Sequence, residues 1–188
     1  MRRSIFVLVL IGAVLSSVCV DESLYAQSAT KTIPELILAA RAGNAGKIKD
    51  LLKKGVSVET ADPSGKTALM YASEEGALEC MRILIKKGAN VNALSNIGWS
   101  PLFYAALTNK PGVIELLLKS GAKINQKNKG GQTALSNAAI VLKCESIRAL
   151  VAAGADPDLK DKVGLSPLDY ARVKNMPKLM ACFEVKKK

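Results

Sequence analysis

Apolar positions along this chain keep a fixed beat. Leu36, Leu69, Leu102, Leu135 and Leu168 are separated by 33 residues at every step (69−36, 102−69, 135−102, 168−135). Ala39, Ala72, Ala105, Ala138 and Ala171 follow three residues behind them, the spacing that places Leu and Ala on one helix face. A second apolar run carries the doublets Leu51-Leu52, Leu84-Ile85, Leu117-Leu118 and Leu150-Val151. Two glycine series punctuate these runs: Gly65, Gly98, Gly131 and Gly164 ahead of the first, and Gly55, Gly88, Gly121 and Gly154 behind the second. Self-similarity at one period means a supersecondary unit copied in tandem, each copy burying its apolar face against its neighbours.

The unit can be read residue by residue. Copies span about 62–94, 95–127, 128–160 and 161–188, and 31–61 keeps the register without the opening Gly. Each full copy opens with Asp62, Ser95, Asn128 or Asp161 and a Gly three residues on, a turn signature. Thr67, Ser100, Thr133 and Ser166 then stand where helix N-caps belong, and Pro101 and Pro167 follow at a position that needs no N–H. The pattern predicts a short Ala-rich first helix and a longer second helix. Gly55, Gly88, Gly121 and Gly154 are expected to close the second helix in the left-handed conformation. Asn109 and Asn175, two residues before Pro111 and Pro177, are expected to cap the second helix of their copies.

Thr67-Ala68-Leu69, Ser100-Pro101-Leu102, Thr133-Ala134-Leu135 and Ser166-Pro167-Leu168 resemble the T-P-L-H-x-A core of the ankyrin repeat, over about residues 31–188. The resemblance implies an all-α solenoid of about five stacked helix-turn-helix repeats with short β-turn tips. It also implies a protein-binding scaffold that uses its tips and the exposed face of its first helices. One feature departs from the family: its usual His is replaced by Met70, Phe103, Ser136 and Asp169, so less stable turns are expected.

Residues 1–26 follow another plan. Arg2-Arg3, an apolar run from Ile5, then small and polar residues give the layout of a secretory signal peptide, with cleavage after Ala26 or after Ser28. An uncleaved anchor is the alternative, although the apolar stretch Ile5–Val20 is shorter than the roughly 20 residues a span needs. Lipidation at Cys19 and twin-arginine export are weaker readings. Export places the protein in a periplasm or outside the cell.

Composition then narrows function. The 188 residues hold 27 Lys and Arg against 16 Asp and Glu, a net charge of +11, and no His. The commonest general base and metal ligand is therefore missing, and no catalytic constellation, metal site, cofactor or small-molecule substrate is expected. Cys80, Cys144 and Cys182 are too scattered for a zinc pattern and read as small core side chains of the second helices, with a redox or intermolecular role left open. Lys53-Lys54, Lys86-Lys87 and Lys119 precede the closing Gly and complement helix dipoles. Aromatics are not interleaved with the basic residues, so nucleic acid is not the expected partner. An acidic protein surface suits the charge.

Comparison between copies marks variable positions as the partner site. Tip residues Ile97, Trp99, Lys129, Gln132, Val163 and Leu165, with helix residues Leu107, Ile140 and Val141, are the candidates, the apolar ones forming a strip over copies three to five. Trp99 and Ile97 are expected at the centre, Trp99 contributing little to the fold, because a tip Trp is the residue type that dominates interfaces. Tyr71, Tyr104 and Tyr170 share one repeat position and read as scaffold. A monomer binding one protein is expected. The alternative is a secreted effector or toxin-associated, immunity-like module acting on another cell's protein.

Overall fold

Helix starts recur every 33 residues in the computed structural model, which describes residues 33–173 and 177–184. First helices are α1 (Glu35–Arg41), α3 (Ala68–Glu75), α5 (Pro101–Leu107), α7 (Ala134–Ile140) and α9 (Pro167–Val173). Second helices are α2 (Ala45–Lys53), α4 (Leu78–Lys86), α6 (Pro111–Lys119), α8 (Cys144–Ala152) and α10 (Pro177–Met180). First helices pack on first helices of adjacent copies, and α2, α4, α6 and α8 pack likewise in a second row. This is an all-α repeat solenoid. Among the described residues the only β pairing is an isolated bridge between Ala61 and Thr67, and no helix is long and apolar enough to cross a membrane. The segment 1–26 read as a signal peptide lies outside the described residues.

The repeated leucines and alanines form the core. Leu36, Leu69, Leu102 and Leu135 are all but completely buried, as are Ala72, Ala105 and Ala138. Each buried Leu contributes roughly 2 kcal/mol of transfer free energy, and the small Ala side chains let neighbouring first helices approach. Leu168, in the last copy, is only half-buried.

Each tip is built from its first residue. Asp62 Oδ1 accepts from the Ser64 and Lys66 amides at 2.8 and 2.9 Å. Asn128 Oδ1 does the same for Gly130 and Gln132 (2.8 and 2.9 Å), and Asp161 Oδ1 for Val163 and Leu165 (2.9 and 3.1 Å). Successive tips also join: the Asn96 amide donates to Ser64 O at 2.8 Å, and the Lys162 amide to Gly130 O at 3.0 Å. Gly98 and Gly131 are required twice over. Their φ values are 80° and 81°, and a Cβ would stand 2.8 and 3.0 Å from the Lys129 and Lys162 backbone nitrogens.

The position of the missing His is filled in three copies by other acceptors. Ser136 Oγ accepts from the Thr133 amide (3.2 Å), Asp169 Oδ2 from the Ser166 amide (3.0 Å), and Met70 Sδ, more weakly, from the Thr67 amide (3.5 Å). Only Phe103 offers no acceptor, and there Ser100 makes no side-chain cap.

Asn109 corrects an expectation. Lys110, not Asn109, is the N-cap of α6, and it makes no side-chain cap bond. Asn109 instead has φ 54°, and its Oδ1 accepts from the Glu145 amide of the next copy at 3.0 Å. The column Gly43, Gly76, Asn109 and Leu142 turns the chain with positive φ between the two helices of a copy. Gly and Asn adopt that conformation readily, whereas Leu142 at 59° holds it with strain. Asn175 lies outside the described residues. A further ladder carries no signal in the leucine pattern. Glu59, Asn92 and Asn125 side chains accept from the amides of Asn90, Lys123 and Asp156 at 2.7, 2.9 and 3.0 Å, tying each copy to the next.

Candidate protein-binding surface

Tips and first helices share one face, and a row of stacked side chains runs along it. The Lys66 ammonium lies 4.0 Å from the Tyr71 ring centroid and 4.3 Å from that of Tyr104, and it also pairs with Glu74. Burying a cation is tolerable here because two ring faces and a carboxylate replace its water. On Tyr104 sits Trp99, edge to face at 5.3 Å, with Phe103 stacked 6.0 Å away. Tyr71, Lys66, Tyr104 and Trp99 thus form a continuous stack across copies two and three. In copy four the Tyr position holds Asn137, whose amide nitrogen donates to Phe103 O at 3.3 Å. Gln132 reaches onward to the Tyr170 hydroxyl at 3.3 Å.

The tyrosines lock tips to helices. Tyr71 donates to Asp62 Oδ2 at 2.9 Å and Tyr170 to Asp161 Oδ2 at 2.5 Å, which agrees with their reading as scaffold. Burial alone would raise the Asp62 carboxyl. Hydrogen bonds from the Ser64 hydroxyl, the Lys66 amide and the Tyr71 hydroxyl outweigh it and hold the group below its ordinary value. Asp161 is lowered in the same way, burial being overcome by bonds from Tyr170 and the Leu165 and Val163 amides. Tyr71 is pushed up to about 12 by burial and by donating to Asp62.

These contacts revise the picture of the tips. Lys66, Trp99, Gln132 and Leu165 share one register, and none is fully exposed: Lys66 is buried and the other three are half-buried. Trp99 therefore belongs partly to the fold, against the expectation that it contributes little, because its ring covers Phe103 and Tyr104. Ile97 (55% exposed) and Val163 (75%) do project from the surface. Gly130 occupies the equivalent position between them, so the register sets these two side chains on either side of a gap. Lys129 is exposed in the same intervening tip. Val141 and Val173 are exposed at the far ends of the first helices, where Leu107 and Ile140 are half-buried. A seven-residue helix, roughly 10 Å long, separates the two groups. The apolar candidates thus fall into two groups, one at the tips and one at the helix ends, rather than one strip.

The second-helix row carries features outside that site. One open groove of about 490 Å³ runs between α6 and α8, lined by Pro111, Ile114, Leu118, Ala149 and Ala153 among others. Another, of about 450 Å³, lies between α8 and the last copy. Bordering it, Cys144 and Cys182 form a disulfide with Cα atoms 5.4 Å apart. This corrects the reading of all three cysteines as small core side chains of second helices. Cys80 alone is a buried free thiol, and Cys182 lies just beyond α10 rather than on it. The repeat register explains the pairing. Moved back 33 residues (144−33, 182−33), the pair becomes Pro111 and Ala149, which line one groove. Second helices meet at this spacing elsewhere, so two cysteines placed there can bond.

Comparison with known proteins agrees with the architecture. No curated protein shows a significant match to the chain. The family model for ankyrin repeats (three copies) matches residues 36–128 and 94–161. Ankyrin repeats generally mediate protein–protein interaction and are typically non-catalytic. With the 33-residue helix pairs, the reciprocal caps of α3 and α7 and this match over most of its length, the chain belongs to the ankyrin-repeat family.

Proposed function

We propose that this protein is an exported, non-catalytic scaffold of a bacterial periplasm or envelope, holding a protein partner across its tips and first helices. The observation that carries the compartment is the Cys144–Cys182 disulfide, since such bonds persist in oxidising compartments and are rare in the reducing cytosol. The signal-like residues 1–26 support the same reading from the sequence. Ile97 and Val163 supply apolar contacts at the tips, with Trp99, Gln132 and Leu165 beneath them. Lys129 supplies a rim charge that favours an acidic partner. Leu107, Ile140 and Val141 extend the contact along the helix ends.

A pull-down from periplasmic extract, with the oxidised protein as bait, tests the reading. A partner lost on Ile97→Asp with Val163→Asp supports it. Fusing residues 1–30 to a reporter active only outside the cytoplasm tests export; an inactive fusion overturns the periplasmic placement. Recovery of a partner only from culture medium or recipient cells would instead favour a secreted effector or immunity-like module.

A further inference from the structure

Opening a disulfide starts at the sulfur that a thiolate can reach, and the step that frees that sulfur again is faster the better it carries charge. Cys182 is 1% exposed, whereas Cys144 is half-buried, and both border the groove of about 450 Å³. Cys144 is the first residue of the nine-residue helix α8, where the helix dipole stabilises a thiolate. Arg148 and Lys178 line the same groove together with apolar Leu142, Leu179 and Ala181. Arg148 is partly neutralised by Glu145 at 3.0 Å, but Lys143 and Lys178 keep the neighbourhood positive. The space suits a molecule of tripeptide size, and the charges suit carboxylates on it.

We infer that the Cys144–Cys182 disulfide is a thiol-exchange site for a small anionic thiol of the glutathione class, and that its opening releases the last copy. The inference goes beyond the binding reading, which needs no small molecule. The incoming thiolate sulfur attacks Cys144 Sγ, the Cys144–Cys182 bond breaks, and its electron pair leaves on Cys182. That sulfur takes a proton from water and lies 3.0 Å from Lys178 O, which accepts the new S–H. A second small thiolate attacks the sulfur bound to Cys144 and releases Cys144 as a thiolate, held by the α8 N-terminus. Two small thiols are thereby oxidised to their disulfide, and the protein disulfide is reduced to two thiols. Once cut, α10 is a single helical turn docked by Leu179 and Cys182, with Met180 and Phe183 packed partly buried beside them.

The test incubates the purified full chain with glutathione or with cationic cysteamine at matched thiolate concentration, followed by alkylation and peptide mapping. Glutathione is expected to open the bond about tenfold faster, the low end of what a charged cleft does to on-rates. The mixed disulfide should map to Cys144, and Cys182→Ser given oxidised glutathione should hold it there, the Cys144 thiolate displacing one reduced glutathione. Arg148→Glu with Lys178→Glu should reverse the preference between the two thiols. Equal or faster opening by cysteamine overturns the inference, as does an adduct on Cys182. Resistance to both thiols until the whole chain unfolds, with Cys80 becoming reactive at the same moment, also overturns it.

Discussion

The third copy and the last are built from the same residue pattern, yet they are held by different forces. In the third, α5 lies between α3 and α7, and α6 between α4 and α8, so both helices are covered on two sides. Leu102, Phe103 and Leu117 are fully buried as a result. In the last, α9 packs on α7 alone among first helices, α10 is a single turn, and Leu168 is left half-buried. An interior copy is stabilised by its neighbours. Among the described residues the last copy has a neighbour on one side, and a covalent bond joins it to α8 there.

The largest expected effect breaks this asymmetry at its covalent end. The disulfide closes a loop of sequence separation 38, worth about 4 kcal/mol on a chain-entropy account. Cys182→Ser, or reductant on the wild type, should lower stability by up to that amount in urea titration. Amide exchange should accelerate first over 161–184 and spare the third copy. Uniform acceleration along the chain would mean that the ends are not held differently.

Trp99→Ala addresses the interior. A half-buried Trp on two aromatic rings should cost about 2 kcal/mol, below the 3–5 of a fully buried one. The loss should be the same with and without reductant. An unchanged melting temperature would return Trp99 to the partner site alone.

Next come the tyrosine locks. Tyr71→Phe and Tyr170→Phe should each cost about 1 kcal/mol, the worth of one hydrogen bond. The pH dependence follows from the lowered Asp62 and Asp161 carboxyls. A carboxyl whose folded pKa lies below its unfolded value stabilises fully above about pH 5, and that stability is lost as pH falls through the folded pKa. The Phe variants should therefore show less acid destabilisation than wild type below about pH 4. An identical acid slope would exclude the locks as its source.

Leu142→Gly is expected to act in the opposite direction. Relief of the positive φ at Leu142 should raise stability by about 1 kcal/mol, measurable by thermal unfolding; a lower melting temperature would show that the side chain is needed. The smallest effect on the fold belongs to the projecting tips. Ile97→Asp with Val163→Asp should change stability by no more than about 0.5 kcal/mol, while partner affinity falls about tenfold or more. A stability loss as large as that of Trp99→Ala would make these residues part of the core.

How far each feature could be read in advance depends on its range. Thr67, Ser100 and Thr133 are N-caps in the structure as expected, and Gly55, Gly88, Gly121 and Gly154 have φ between 86° and 90°, because caps and left-handed closures are set by a few consecutive residues. Asn109 reads from the sequence as the cap of its own helix because the local rule says nothing of a neighbour; the amide that donates to it belongs to Glu145, 36 residues away. The tip positions were half legible. Variation between copies marks Trp99 as free, but side-chain direction places it against Phe103 and Tyr104. The disulfide was in principle readable, since 38 residues is one repeat plus the five-residue offset at which Pro111 and Ala149 share a groove, but that offset appears only once helices are stacked.

By itself the sequence determined the repeat, its period, the caps and turns, and the family, because each rests on local backbone chemistry copied at a fixed interval. Tertiary structure alone decided which side chains those copies turn toward one another. Stacking converts equal sequence positions into unequal environments: Leu102 is sealed and Leu168 half open, and Pro111 lines a groove where Cys144 is bonded. The physical reason is that burial and cross-linking depend on the neighbours a copy packs against, and among the described residues the copies differ in these.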